Sequence, residues 1–204
     1  MINFEEIKNT TIYIECYKIK RFSKDFNCLD FFPELLERIA DVLSQWSGKT
    51  YVGLVKDNIT SDAFQVFFMS LCDLIKFLEK NKDCIIKLES DFINSIKYHG
   101  IIYRTLGYGD CYDKNKNKSI IPDYNSIFVS WSKNNDIPYL NTKLYGKKTK
   151  IKAYIGNNTY GIDLENFQNF INNEFDKKWL ISKGEEREVV FPTLEEYITE
   201  IKYE

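Results

Sequence analysis

The sequence contains no apolar segment that would span a membrane, because nowhere do about eighteen uncharged apolar residues follow one another. It also begins without a basic segment or an apolar run of signal-peptide length. We therefore expect a protein that acts in the cytoplasm. The formal net charge of -2 argues against a globally basic nucleic-acid binder, although a local basic patch stays open.

The chain is also poor in residues that bind metals. It has one histidine, His99, and its five cysteines are odd in number and show no Cys-x-x-Cys spacing. A zinc site needs several such ligands at defined spacings. We predict no metal site, and we interpret the cysteines as small apolar core residues in a reducing cytosol.

Large apolar side chains, in contrast, are abundant. The 204 residues are 44% hydrophobic and include 14 tyrosines and 15 phenylalanines, which is enough for a sizeable core. We predict a single domain over residues 1–204, of the α+β class. Residues 1–99 are predicted to be mainly helical, and residues 100–204 are predicted to be mainly β-structure.

The first half of the chain has the apolar spacing of helices. Apolar residues recur at helical intervals after Pro33, which suits a first turn, and Gly48 is predicted to end this helix. Residues 63–78 are apolar on nearly every side, so we expect the second helix to be buried. A third helix over 85–96 presents one apolar face and stops before Gly100.

The second half has the patterns of short strands. We predict one helix with Leu164 and Phe175 at its ends, and strands over Ile101–Leu106, Ile127–Ser132, Lys150–Ile155, Glu186–Phe191 and Tyr197–Tyr203. The residues between 107 and 125 are interpreted as a polar loop. Strands with so few crossover helices favour an α+β domain rather than a parallel sheet.

Arg104 stands inside an otherwise apolar strand, between Tyr103 and Thr105. A buried guanidinium is costly unless an anion or a carboxylate satisfies it, and its planar fork suits phosphate oxygens. The arginine therefore either binds an anionic ligand or lies at a strand end beside a structural carboxylate.

Ser130 and Ser132 share one face of their predicted strand, and Trp131 lies on the other face. Two hydroxyls on one face either orient a neighbouring carboxylate or a sugar, or are ordinary polar positions on the solvent side of a sheet. We expect Trp131 to pack against the reverse of the sheet.

Glu186 and Glu188 lie just before the apolar run Val189-Val190-Phe191-Pro192. If this segment is extended, both carboxylates project from one face with their Cα atoms about 6.5–7 Å apart. Carboxylates that close repel each other unless a cation or hydrogen-bond donors separate them, so a site for a cationic group would use such a pair. The alternative is a solvated, charged start to a strand.

In this order, Tyr103-Arg104, Ser130-Trp131-Ser132 and Glu186-Arg187-Glu188 resemble the motifs of the arginine–serine–glutamate class of mono-ADP-ribosyltransferases. In that family the glutamate motif runs into an apolar strand that ends in proline, and one last strand closes the domain. The resemblance covers roughly residues 40–204, and Trp46-Ser47-Gly48-Lys49-Thr50-Tyr51 is similar to the Tyr-Thr-Gly-x-x-Tyr element of many members. It implies a helical N-terminal half packed on a split, mostly antiparallel β-sheet.

The chain departs from the family pattern at two positions. Thr105 replaces the glycine that often follows the arginine, and Trp131 replaces the usual middle threonine. Neither departure removes a charged catalytic group. The size of the chain is similar to that of small enzymes of phages and of some bacterial toxin domains.

The resemblance implies that NAD is the co-substrate and that no metal takes part. By carry-over, Glu188 is the catalytic carboxylate, which stabilises the positive charge that develops on the nicotinamide ribose. Glu186 is the second catalytic residue and serves the acceptor. Arg104 and Ser130 bind NAD, together with their neighbours Tyr103 and Ser132.

The glutamate that precedes the catalytic one resembles that of members that modify arginine, so a protein arginine is the expected acceptor. Nucleic acid as acceptor, and water in an NAD glycohydrolase, are the alternatives among enzymes. The rival outside enzymes is an inactive binding or inhibitory protein of the same fold, although such relatives usually lose the arginine or the last glutamate. An antitoxin or regulatory partner is a further expectation.

Two further features are left open by the sequence. An aromatic residue is expected to stack on nicotinamide, and Tyr139 and Tyr145 are the candidates. A basic run contains Lys143, Lys147, Lys148, Lys150 and Lys152. These lysines either steer NAD or a polyanionic partner, or form a solvated loop and strand face. A nucleic-acid acceptor gains support if they share a cleft with the 114–118 loop.

Overall fold

The structure is a computed structural model that describes residues 11–12, 31–52, 58–107, 112–113, 118–119, 128–136, 148–182 and 184–203. The chain divides into two compact units. The helical unit takes its residues from 1–96 and 164–182, and the sheet unit takes its residues from 97–163 and 183–204. The fold is α+β, as predicted, and the expectation of a single domain stays a prediction.

The helical unit contains four helices within its described residues: α1 (Phe31–Val52), α2 (Asn58–Lys80), α3 (Lys87–Ile96) and α4 (Leu164–Glu174). The first three belong to the half of the chain that was predicted to be helical. The fourth comes from the mainly β half and still belongs to the helical unit. Among the described residues, no helix combines the length and the apolar character that crossing a membrane requires.

Two predictions about these helices are wrong. Helix α1 does not end at Gly48 but continues to Val52, because a single glycine costs a helix only about 1 kcal/mol relative to alanine. Helix α2 is not buried on every side. Val66 and Met69 are 42% and 59% exposed, and they lie on one stripe with the exposed Asp73. The prediction of a fully buried helix failed because two apolar residues of α2 lie on its exposed side.

The sheet unit contains nine strands within its described residues. They are β1 (Lys97–Tyr98), β2 (Gly100–Gly107), β3 (Tyr112–Asp113), β4 (Lys118–Ser119), β5 (Phe128–Ser132), β6 (Lys148–Ile155), β7 (Gly161–Asp163), β8 (Glu188–Pro192) and β9 (Ile198–Tyr203). Seven form one sheet in the order β1-β7-β8-β5-β2-β6-β9, and β3 pairs with β4. All of these pairs are antiparallel, so the predicted antiparallel character is confirmed.

The core of the sheet unit covers one face of the sheet. Residues that alternate along four strands are buried together: Ile102, Trp131, Ile151, Ala153, Ile155, Val189 and Phe191. Trp131 is 2% exposed and its Nε1 donates a hydrogen bond to the main-chain oxygen of Phe191 at 2.9 Å. The expectation that Trp131 packs on the reverse of the serine face is therefore confirmed.

The sheet is joined at one weak point. Strand β2 pairs with β6 over its whole length, and β5 pairs with β8 from Phe128 to Ser132. Between β2 and β5 the described pairing consists of Tyr103 opposite Ser132. This pair therefore joins a part with β1, β7, β8 and β5 to a part with β2, β6 and β9 within one seven-stranded sheet. The predicted split stays a prediction.

Gly161 marks the closest packing in the sheet unit. A Cβ at this position would lie 2.5 Å from Cγ1 of Val189 and 3.0 Å from Cδ1 of Ile155. Both neighbours are fully buried branched side chains, so neither can move away cheaply. Strand β7 can approach β8 only because residue 161 has no side chain.

We predict that Gly161→Ala lowers the free energy of unfolding by about 1–3 kcal/mol, since it overpacks a buried contact. Urea denaturation measures the change. Gly156→Ala is the matched control, because its Cβ would meet only Cε1 of Tyr154 at an ordinary 3.6 Å. Equal stability of the two variants would contradict this account of the packing.

Candidate active site

The three motif-bearing segments lie on strands that are neighbours in the sheet. Strand β8 carries Glu188, β5 carries Ser130 and Ser132, and β2 carries Tyr103 and Arg104, and the order in the sheet is β8-β5-β2. Segments that are far apart in the sequence are thus brought side by side. The prediction that their side chains converge on one site stays a prediction.

A row of polar side chains crosses these strands. Ser132 is paired with Glu188 on one side and with Tyr103 on the other. Directly paired residues of antiparallel strands project from the same face, with Cβ atoms about 4.5–5.5 Å apart. Ser130 lies two residues along β5 and therefore on the same face. The structure brings together Glu188, both serines and Tyr103.

The Ser132 hydroxyl holds the chain just before the glutamate strand. It donates a hydrogen bond of 2.6 Å to the main-chain oxygen of Glu186 and accepts one of 2.9 Å from the main-chain nitrogen of Asn134. Ser132 is 3% exposed, so water competes little for these bonds. The hydroxyl thus fixes the turn that carries Glu186 to the end of β5.

The two glutamates do not belong to one extended segment, so the predicted strand start at Glu186 is wrong. Residues 184–186 form a turn, Arg187 has a φ of 44°, and β8 begins at Glu188. A left-handed residue interrupts the alternation of a strand, so the same-face spacing expected for an extended pair does not apply. Glu188 is 3% exposed, whereas Glu186 is half-buried.

Arg104 leaves β2 on the face opposite Tyr103, because neighbouring strand residues alternate. It is therefore not in the row with Glu188. Its guanidinium nonetheless reaches the serine strand, where Nη1 donates a hydrogen bond to the main-chain oxygen of Ser130. This contact lies where the strand pairing between β2 and β5 has ended, so the side chain joins the two parts of the sheet.

A buried ion pair lies behind the start of β8. Nζ of Lys133 is 3.0 Å from each carboxylate oxygen of Asp163, and the two side chains are 14% and 0% exposed. Asp163 is paired with Val189, the residue after Glu188, so it projects from the reverse face. Because β8 lies between β5 and β7, the ion pair holds together the two strands that flank Glu188.

Tyr98 completes this reverse-face group. Its ring centre lies 5.6 Å from Nζ of Lys133, and its hydroxyl donates to the main-chain oxygen of Ile101 at 2.9 Å. Burial raises the pKa of Tyr98 above its ordinary value, and the charge of Asp163 acts in the same direction while Lys133 opposes it. Sequence reasoning missed this group, because its members are scattered along the chain and form no motif.

A pocket of about 260 Å³ opens beside the polar row. It is lined by Tyr103, Arg104, Thr105, Asn135, Lys150, Ile151, Lys152, Glu200 and Lys202. Lys150 and Lys152 of the predicted basic run therefore lie beside Arg104. Lys143, Lys147, Tyr139, Tyr145 and residues 114–117 lie outside the described residues.

Comparison of the chain with protein-family models, with curated proteins and with solved structures finds no match. A function for this protein therefore has to be inferred from the arrangement of its own side chains.

We predict that Asp163→Asn lowers the free energy of unfolding by about 3–5 kcal/mol, because it removes the charged partner of the buried Lys133 ammonium. Chemical denaturation measures the loss. Asp73→Asn breaks an exposed ion pair with Lys76 and is expected to change stability by less than about 1 kcal/mol. If both variants lost equally little, the ion pair would not hold the sheet.

Proposed function

We propose that this protein is a mono-ADP-ribosyltransferase, which cleaves NAD at the bond between nicotinamide and ribose and transfers ADP-ribose to an acceptor. The observation that carries the proposal is the row in which buried Glu188 pairs with Ser132, and Ser132 pairs with Tyr103. Arg104 reaches the same serine strand through Ser130. The resemblance of the motifs and the adjacency of their strands support the same conclusion independently.

The chemistry requires a carboxylate of this kind. As nicotinamide leaves, positive charge builds on the ribose in an oxocarbenium-like transition state. A carboxylate held in a fixed, poorly solvated place stabilises that charge without reorganising, which is worth several kcal/mol. Glu188 is 3% exposed and begins a strand whose two neighbours are tied together by the Lys133–Asp163 ion pair. It is therefore held in place before substrate binds.

The other residues of the site bind and orient NAD. The Ser130 hydroxyl shares the face of Glu188, where it is placed to orient that carboxylate and the nicotinamide ribose. Arg104 leaves the opposite face of β2, so its proposed part is to hold the serine strand through the main-chain oxygen of Ser130. Tyr103 contributes a phenol to the row. Ser132 uses its hydroxyl on the main chain, so it supports the glutamate turn.

The acceptor is proposed to be an arginine side chain of a protein inside the cell. Glu186 lies in the turn directly before Glu188 and is half-buried, so its side chain is partly accessible to an acceptor. A carboxylate in that place can bind a guanidinium and help to remove the proton from the attacking nitrogen. We also propose that an antitoxin or another regulatory protein binds this protein. Nucleic acid is the second candidate acceptor, because Lys150 and Lys152 line the pocket beside Arg104.

We predict that Glu188→Gln reduces the release of nicotinamide from NAD by at least about a hundredfold, since it removes the charge that stabilises the transition state. Chromatography of nicotinamide after incubation with NAD measures the rate. Glu185→Gln, which changes an exposed glutamate of the same turn, is the matched control and should keep its rate. Equal rates in all three proteins would remove Glu188 from the mechanism.

We predict that Glu186→Gln impairs transfer to an arginine-rich peptide by about a hundredfold and impairs NAD hydrolysis much less. The attacking guanidinium nitrogen must lose a proton to Glu186, whereas an attacking water depends less on that base. Mass spectrometry of the peptide and nicotinamide release, measured on one sample, give the two rates. A proportional loss in both would contradict the acceptor role and would favour a plain NAD glycohydrolase.

A further inference from the structure

Two lysines face each other across neighbouring strands of the sheet unit. Lys150 of β6 is paired with Lys202 of β9, and on its other side Lys150 is paired with Thr105 of β2. Like charges in directly paired positions destabilise a sheet, because their side chains project from one face about 5 Å apart. An anion bound between them would attract both ammonium groups.

The pocket around these lysines carries an excess of positive charge. Lys150, Lys152 and Lys202 line it from the face of the polar row, and among the described lining residues Glu200 supplies the one carboxylate. Nζ of Lys202 lies 3.1 Å from Glu200, but the two side chains are 61% and 44% exposed. Such an exposed pair is worth about 1 kcal/mol or less, so it restrains Lys202 only weakly.

The rest of the lining suits an oxyanion of limited size. Thr105 and Asn135 supply a hydroxyl and a side-chain amide that donate hydrogen bonds. The volume of about 260 Å³ is below the range of about 300–1,000 Å³ for sites that enclose a drug-sized ligand. A phosphate group with part of its sugar is of the right size.

We propose that this pocket is a phosphate-ester binding site, in which Lys150 and Lys202 hold the phosphate between them and Thr105 and Asn135 donate to its oxygens. The site lies on the same face as Glu188, since Lys152 is paired with Tyr103 in the polar row. Two sources have the required chemistry: a nucleotide phosphate of the dinucleotide, and a backbone phosphate of a nucleic-acid acceptor. Only this choice of source rests on the proposed function.

The test is isothermal titration of the full chain with inorganic pyrophosphate, with ADP-ribose and with a short single-stranded oligonucleotide, each at low and at moderate salt. Lys150→Gln/Lys202→Gln is expected to weaken pyrophosphate binding about a hundredfold, since the removal of each of two charge-assisted hydrogen bonds costs about tenfold. Lys76→Gln/Lys82→Gln removes the same charge from exposed positions of the helical unit and should change affinity less than about twofold.

The outcomes separate the possibilities. Lysine-dependent binding of ADP-ribose without the oligonucleotide identifies the dinucleotide as the source, and tighter oligonucleotide binding with a steep salt dependence identifies nucleic acid. An equal loss in both double variants, or no binding of any of the three ligands by the unaltered protein, overturns the proposal. Because both substituted lysines lie on partly exposed positions, Lys202→Gln alone serves as the second variant if the double variant does not fold.

The same preparations are assayed for nicotinamide release beside Glu188→Gln. Lysine-dependent pyrophosphate binding without any NAD cleavage would overturn the proposed function and leave the phosphate site standing. NAD cleavage with identical pyrophosphate binding in all variants would overturn the phosphate site and leave the proposed function standing.

Discussion

The pairing of Ser132 with Tyr103 on one side and Glu188 on the other is the contact on which the arrangement of the site depends. It is the described pair that joins the two parts of the sheet, and it sets which residues of three strands share a face. A shift of one residue in this register would turn Glu188 away from the serines. The same Ser132 also holds the turn before Glu188 through its hydroxyl. Ser132 is therefore both the residue at which the two parts of the sheet pair and the residue whose hydroxyl holds the turn.

The two faces of the sheet around this contact differ in how their charged residues are arranged. On the reverse face, Asp163 is fully buried and neutralised by Lys133. On the front face, Glu188 is almost fully buried beside hydroxyl groups, and lysines gather further along the sheet. The first arrangement stabilises the strands, whereas the second supports the proposal of separate places for a cationic sugar and an anionic phosphate. In the proposed substrate, positive charge develops on the nicotinamide ribose and the adjoining pyrophosphate is anionic.

Much of the fold follows from local patterns. The alternation of Ile151, Ala153 and Ile155 with Lys152 and Tyr154 predicted both β6 and its buried face, because a strand exposes every second side chain. The order of the motifs predicted that Ser132 and Glu188 lie near each other, although only through resemblance to a family. Short strands escaped prediction. Residues 97–98 and 161–163 are too few to show a period.

The features that escaped prediction depend on pairing between distant segments. Lys133 and Asp163 meet only because β8 separates β5 and β7, and nothing local in either segment indicates that order. The pairing of Lys150 with Lys202 likewise requires the register of β6 with β9. Gly48 misled for the opposite reason, since a strong local signal was overridden by the rest of the helix. The missed pairs and the wrong helix end share one cause: both are decided by parts of the chain outside the local sequence pattern.

The left-handed backbone at Arg187 has a consequence for how this site can change over generations. Few residue types adopt that conformation easily, and glycine does so without strain. A substitution there would alter the distance and angle between Glu186 and Glu188 while both carboxylates stayed in the gene. For the proposed transferase, acceptor preference would therefore depend on a position that carries neither acidic group.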